Sequence, residues 1–187
     1  MLESLYKKCK TKMDKSVEVI RHELASIRTG RASTALLDGI KVEYYGNPTP
    51  LNQVANITVP EARLLVIQPW EKNMLPIIEK AILASSLGLT PANDGQVIRL
   101  PIPPMSDERR KDLSRVVSKI AEEGRISIRN VRREFNEHIK KMEKDGDISK
   151  DNAADGLDEI QKITDEHIAK IDQIFEMKEK EILEDHI

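Results

Sequence analysis

Residues 125–135 read RISIRNVRREF, with Arg125, Arg129, Arg132 and Arg133 inside nine positions of a chain whose formal net charge is -2. Arginine carries a planar fork of N–H donors that meets the oxygens of a phosphate or carboxylate two at a time. On a helical wheel with Gly124 and Val131 near zero, the four arginines fall at roughly 80–180°, together with Lys111, Arg115 and Lys140. Glu122 interrupts this stripe. Two chemistries fit it. The stripe is either a solvated helix face, partly paired with acids of a neighbouring helix, or a face that follows a nucleic-acid backbone over several turns. No aromatic side chain lies on it, so the nucleic-acid reading is phosphate or shape recognition of folded RNA rather than base stacking.

Other reactive residues do not assemble into a catalyst. His22, His138, His167 and His186 are far apart and show no HExxH or Cys/His spacing, so surface positions are expected for them rather than a metal site. Cys9, the only cysteine, falls on an apolar helical seam and reads as a small core residue. TGR (29–31) and YYGNP (44–48) are turn chemistry, not a phosphate-cradling loop. Acidic residues are abundant, but no pair stands out as general acid and base. The expectation is a protein with no catalytic residues, metal or cofactor.

The elements that position these residues follow from proline. All nine prolines lie between residues 48 and 104, and proline breaks helix interiors. Long helices therefore belong to the flanks. Residues 2–28 carry Leu2, Tyr6, Cys9, Met13, Val17, Ile20, Leu24 and Ile27 on one stripe, with Gly30 as the expected C-terminal cap. A second stripe starts after Ser106 and runs Leu113, Val117, Ile120, Gly124, Ile128, Val131, Phe135, Ile139, Met142. Asp145-Gly146-Asp147 makes a short turn, and Ser149 caps a third helix carrying Leu157, Ile160, Thr164, Ile168, Ile171, Phe175 and Ile182. The middle alternates apolar and polar residues in IKVEYY (40–45), with further strands at NITV (56–59), LLVI (64–67) and VIRLPI (97–102), and a helix over 73–86. The fold class is α+β multidomain. A long antiparallel three-helix bundle (1–29 and 106–187) carries an inserted small β/α/β domain (30–105).

Charge and chain path add function. Residues 106–144 carry 12 basic and 8 acidic side chains, whereas 145–187 carry 5 and 14, so a basic helix stands beside an acidic one. Both ends of the insert pass through one junction, formed by Thr29, Gly30 and Arg31 on one strand and Pro103, Pro104 and Met105 on the other. Glycine allows wide backbone rotation and proline stiffens the return strand, so the pair reads as a hinge, or else as a rigid connector. A single cysteine, no signal-like apolar run in MLESLYKKCKTKMDKS and no membrane-length stretch lead to the expectation of a soluble cytoplasmic protein.

IRTGRAS (27–33), LLDGIKVEYYG (36–46), NPTPL (47–51), ERRKDL (108–113) and RNVRREFN (129–136) resemble, in order and spacing, the bacterial ribosome recycling factor family over essentially the whole chain. That resemblance implies an L-shaped, tRNA-like monomer that is not an enzyme. It implies binding to the large ribosomal subunit through rRNA, with elongation factor G and GTP then splitting the subunits and releasing mRNA and tRNA. Carried onto this sequence, Arg129 and Arg132 would meet rRNA, with Arg133 and Arg125 beside them. Arg28 and Arg31 would serve rRNA contact or hinge geometry. Gly124, unusual inside a helix, marks close helix packing. A coiled-coil adaptor with a solvated basic stripe, and an RNA-processing enzyme with its site in the insert, are the competing readings.

Overall fold

A computed structural model describes residues 1–183. The chain divides into two compact units, Met1–Arg28 with the segment from Asp107 onward, and Thr29–Ser106.

The first unit holds three helices, α1 (Leu2–Ala25), α3 (Asp107–Lys144) and α4 (Lys150–Leu183), separated in the chain by α2 of the second unit. At 1.5 Å per residue α3 and α4 run for about 57 and 51 Å. Each carries one apolar face, and each packs against the other two. Buried along the shared seam are Cys9, Met13, Val17, Ile20 and Leu24 of α1, Leu113, Val117, Ala121, Ile128, Phe135 and Ile139 of α3, and Ile160, Ile163, Ile171 and Ile182 of α4. Cross-helix contacts fix the directions. Arg125 meets Asp172 and Arg132 meets Gln161, so α4 runs antiparallel to α3. Lys12 meets Glu134 and Ser16 meets Ser127, so α1 is antiparallel to α3 as well, and therefore parallel to α4.

The ends of α3 and α4 follow capping rules. Asp107 and Glu108 sit in the first turn of α3 and Lys141 and Lys144 in its last, complementing the helix dipole. Gly146, at φ 79°, takes the left-handed position after α3; its N–H donates to the Glu143 carbonyl and that of Asp147 to the Met142 carbonyl. Ser149 Oγ then accepts the Asn152 N–H at 3.1 Å and opens α4. At the other end α1 stops at Ala25, not near Gly30 as the periodicity suggests. The Ser26 hydroxyl donates to the Glu23 carbonyl at 2.7 Å, and the Ile27 N–H bonds the Leu24 carbonyl, tightening the last turn before Gly30 is reached.

In the second unit β1 (Lys41–Tyr44) and β2 (Asn47–Pro50) form a hairpin, closed by Tyr45 at φ 50° and Gly46 at φ 81°. Positive φ at both central residues makes a turn whose twist matches the strands. A four-stranded antiparallel sheet follows in the order β3-β4-β6-β5, from β3 (Ala55–Glu61), β4 (Leu64–Pro69), β5 (Ala92–Asn93) and β6 (Ile98–Pro101). Edge strand β3 tolerates Pro60, which lacks the N–H a central strand would need. Helix α2 (Leu75–Ala84) carries Pro76 in its first turn, where no N–H is missed. Its Leu75, Ile78 and Ile82 pack with Val42, Leu65, Ile67, Ile98 and Leu100 in one core. Both connecting strands are tied to the β3–β4 turn: Ala32 N–H donates to the Ala62 carbonyl at 2.7 Å, and Ile102 N–H to the Arg63 carbonyl at 2.8 Å.

Candidate nucleic-acid interface

The arginine stripe of α3 is held in three different ways. Arg125 is the most enclosed, its side chain 20% exposed; Nε donates to Asp172 Oδ1 of α4 at 2.8 Å and Nη1 to Glu122 Oε2 at 3.1 Å. Its guanidinium also lies 5.7 Å from the centre of the Phe175 ring. Burial works against its charge, but the bonds it donates to Asp172 and Glu122 outweigh that and hold the guanidinium protonated. Arg125 thus clasps α3 to α4. Arg129 Nη1 donates to the other oxygen of Glu122 at 3.2 Å, leaving the side chain 40% exposed. The hydrogen bonds from Arg125 and then Arg129 hold the Glu122 carboxyl below its ordinary range, so it stays ionised between them.

Arg132 differs. Its Nη1 donates to Gln161 Oε1 at 3.3 Å, and Gln161 in turn donates to Asp165 at 2.8 Å. Gln161 is neutral, so it orients the guanidinium without cancelling its charge. Arg133 is exposed and has no ion pair among the described residues. Lys111, Arg115 and Lys140 extend the exposed basic face, with Arg115 only 3.9 Å from Asp112 of its own helix. The stripe is therefore graded, from Arg125 spent on the bundle to Arg132 and Arg133 with charge to spare.

This grading depends on how α3 is rotated, and Gly124 sets that rotation. A Cβ at Gly124 would stand 2.5 Å from Ile20 Cγ1 and 3.2 Å from Ile171 Cδ1, so only glycine lets α1 and α4 approach α3 here. The close packing suggested by a glycine on the seam is present, one residue before Arg125.

Sequence reasoning placed Phe175 on the apolar stripe of the third helix but did not single out Asp172 or Gln161, because the polar face of α4 was visible only as acidic. Counting equal distances back from the Asp145–Asp147 turn puts Arg125 opposite roughly residue 170, which was the available signal. His167 is a correction. Instead of lying on the surface it is buried, with Nδ1 2.7 Å from the Ile163 carbonyl and Nε2 2.7 Å from Asp14 Oδ1 of α1. The contact with Asp14 makes it a second clasp between helices. His22 and His138 are exposed, and His186 lies outside the described residues. Cys9 is fully buried, and burial pushes its thiol up to about 11, as a core residue requires.

The six junction residues all fall in the second unit. Arg28 is exposed at the end of the first unit's N-terminal segment, and Arg31 is exposed in the second. Thr29 is buried, Gly30 adopts φ 80°, Pro103 and Pro104 are exposed and Met105 is half-buried. Among the described residues no group of three or more His, Cys, Asp or Glu could hold a metal ion, and no helix is long and apolar enough to cross a membrane.

Fold and site together define a class: a long three-helix bundle interrupted by a small antiparallel-sheet unit, with a basic face on its second long helix. Residues 20–183 match the family model described as ribosome recycling factor. The ribosome-recycling factor of Desulfatibacillum aliphaticivorans is 54% identical over 184 residues, spanning 98% of this chain and all of that relative. A solution structure of a ribosome recycling factor superposes with a TM-score of 0.72 at 46% identity, over 98% of this chain and 97% of that one. A second solved chain, 53% identical with a TM-score of 0.64, covers 98% of this chain and 99% of its own; it belongs to a description of the T. thermophilus ribosome recycling factor and the E. coli elongation factor G on the E. coli post-termination complex. The chain belongs to the ribosome recycling factor family.

Proposed function

We propose that this protein binds the post-termination ribosome at large-subunit rRNA. With elongation factor G and GTP it splits the subunits, and mRNA and tRNA are released. The observation that carries this reading is the near full-length likeness to a factor set, with elongation factor G, on a post-termination complex. The uncompensated guanidinium groups of half-buried Arg132 and exposed Arg133 support it, with Arg129 as a partly engaged third contact. Arg125 orients the stripe through α4 rather than reaching outward. Arg28 and Arg31 add positive charge beside the pivot.

The protein is not itself the catalyst in this account. It is a cytoplasmic monomer, needs no cofactor of its own, and the GTPase supplies the free energy. Its two-strand junction transmits the movement. The pivot is Thr29, Gly30 and Arg31 with Pro103, Pro104 and Met105, where Gly30 at φ 80° supplies the backbone freedom.

The test is light scattering of purified post-termination ribosomes. The expected result is loss of scattering only when this protein, elongation factor G and GTP are all present. Unchanged scattering, or turnover of RNA by the protein alone, would overturn the reading.

A further inference from the structure

The small unit exposes aromatic side chains that rRNA binding by the bundle does not use. The whole chain has one tryptophan, three tyrosines and two phenylalanines, yet Trp70 is 62% exposed and Tyr45 79%. Tyr45 also sits at φ 50°, a hairpin-turn position where Asn or Asp suits the backbone better, and it gains no burial there. Folding alone does not account for a tyrosine at that point.

The chemistry of the cluster is specific. Glu71, the residue after Trp70, accepts a hydrogen bond from the Tyr44 hydroxyl at 2.9 Å on one oxygen and from the Tyr45 hydroxyl at 3.5 Å on the other. The two tyrosine rings meet edge to face with centres 4.5 Å apart. The bond to Glu71 is the main cause that pushes the Tyr44 phenol up to about 12, so that phenol stays a donor to the carboxylate. A carboxylate fixed by two phenols amid exposed aromatic rings attracts a cationic side chain by ion pairing and through the ring faces. The same carboxylate repels phosphate, which disfavours a stacked nucleic acid here. We infer that Tyr44, Tyr45 and Glu71, with exposed Trp70 next to Glu71 in the chain, form a docking site for an arginine or lysine side chain of a protein partner.

Trp70 is the only tryptophan and directly precedes Glu71, so its emission serves as the reporter. The full chain is titrated with a tetra-arginine peptide, and in parallel with tetra-glutamate and a short oligouridylate. The expected result is a saturable emission change with tetra-arginine only, weakened about tenfold or more in Glu71→Gln. Tyr45→Asn, which suits the turn and keeps a second variant available should Glu71→Gln fail to fold, is expected to weaken it as well. No saturable change, a change untouched by both substitutions, or a preference for oligouridylate would overturn the proposal.

Discussion

Replacing Gly124 with alanine sets helix propensity against packing. Alanine is favoured over glycine in a helix interior by about 1 kcal/mol, so propensity alone predicts a gain. The structure predicts a loss. The new Cβ would lie 2.5 Å from Ile20 Cγ1 and 3.0 Å from its Cδ1, whereas carbon pairs settle near 3.5–4.0 Å. Ile20 cannot easily turn aside, because a β-branched side chain in a helix is confined to essentially one rotamer. Relief must come from moving α1 or α4, at about 1–3 kcal/mol for overpacking. Gly124→Ala should therefore give no gain and destabilise the protein by up to about 2 kcal/mol net. Gly156 provides the contrast. Its added Cβ would be nearest the Ile139 Cδ1 tip at 3.2 Å, with the Tyr6 hydroxyl at 3.5 Å and Ile139 Cγ2 at 3.6 Å, so Gly156→Ala should be neutral or up to about 1 kcal/mol stabilising. Urea unfolding followed by circular dichroism reads both, and Ile20→Ala completes a double-mutant cycle in which Gly124→Ala should lose its penalty. If Gly124→Ala stabilises the wild-type chain as much as Gly156→Ala does, the account of α3 rotation is wrong.

Further outcomes are expected elsewhere in the molecule. The Asp94 carboxyl accepts N–H bonds from Val97 and Gln96 and one from Arg99, which together hold it down to about 2 against an ordinary 3.8. Because the folded value is depressed, its stabilisation of the small unit is present above about pH 4 and lost as pH falls towards 2. The difference between wild type and Asp94→Asn, followed at Trp70 in denaturant, should shrink to nothing across that window; a constant difference would refute it. Cys9 should react with a thiol reagent only at the rate of unfolding, and rapid modification of the folded protein would contradict its burial. Gly30→Val penalises the positive-φ backbone by about 1–2 kcal/mol. It should slow subunit splitting while leaving large-subunit affinity within about twofold; equal losses of both would count against a pivot.

The large elements were legible because their signals are long. Stripes such as Cys9–Met13–Val17–Ile20 and Leu113–Val117 through Ile139 repeat over many turns, and all nine prolines fall outside them. Short-range events were not. The strand Asn47–Pro50 has two prolines in four residues and pairs only with β1, and Ala92–Asn93 is too short to show a period. The end of α1 turned on one Ser26 hydroxyl, and the burial of His167 on acceptors supplied by Asp14 and Ile163. At the candidate interface the arginines were visible from residue type, but their different fates were not. Arg125 meets an aspartate and Arg132 a glutamine only because of the register between α3 and α4, a tertiary property.

The most direct test is the affinity for purified large ribosomal subunits of wild type, Arg132→Ala and Arg133→Ala, measured across a series of salt concentrations. Each substitution should cost about 1–3 kcal/mol of binding, flatten the salt dependence and leave bundle stability unchanged within about 0.5 kcal/mol. Unchanged affinity in both variants, or a wild-type affinity indifferent to salt, would contradict an rRNA-facing arginine stripe.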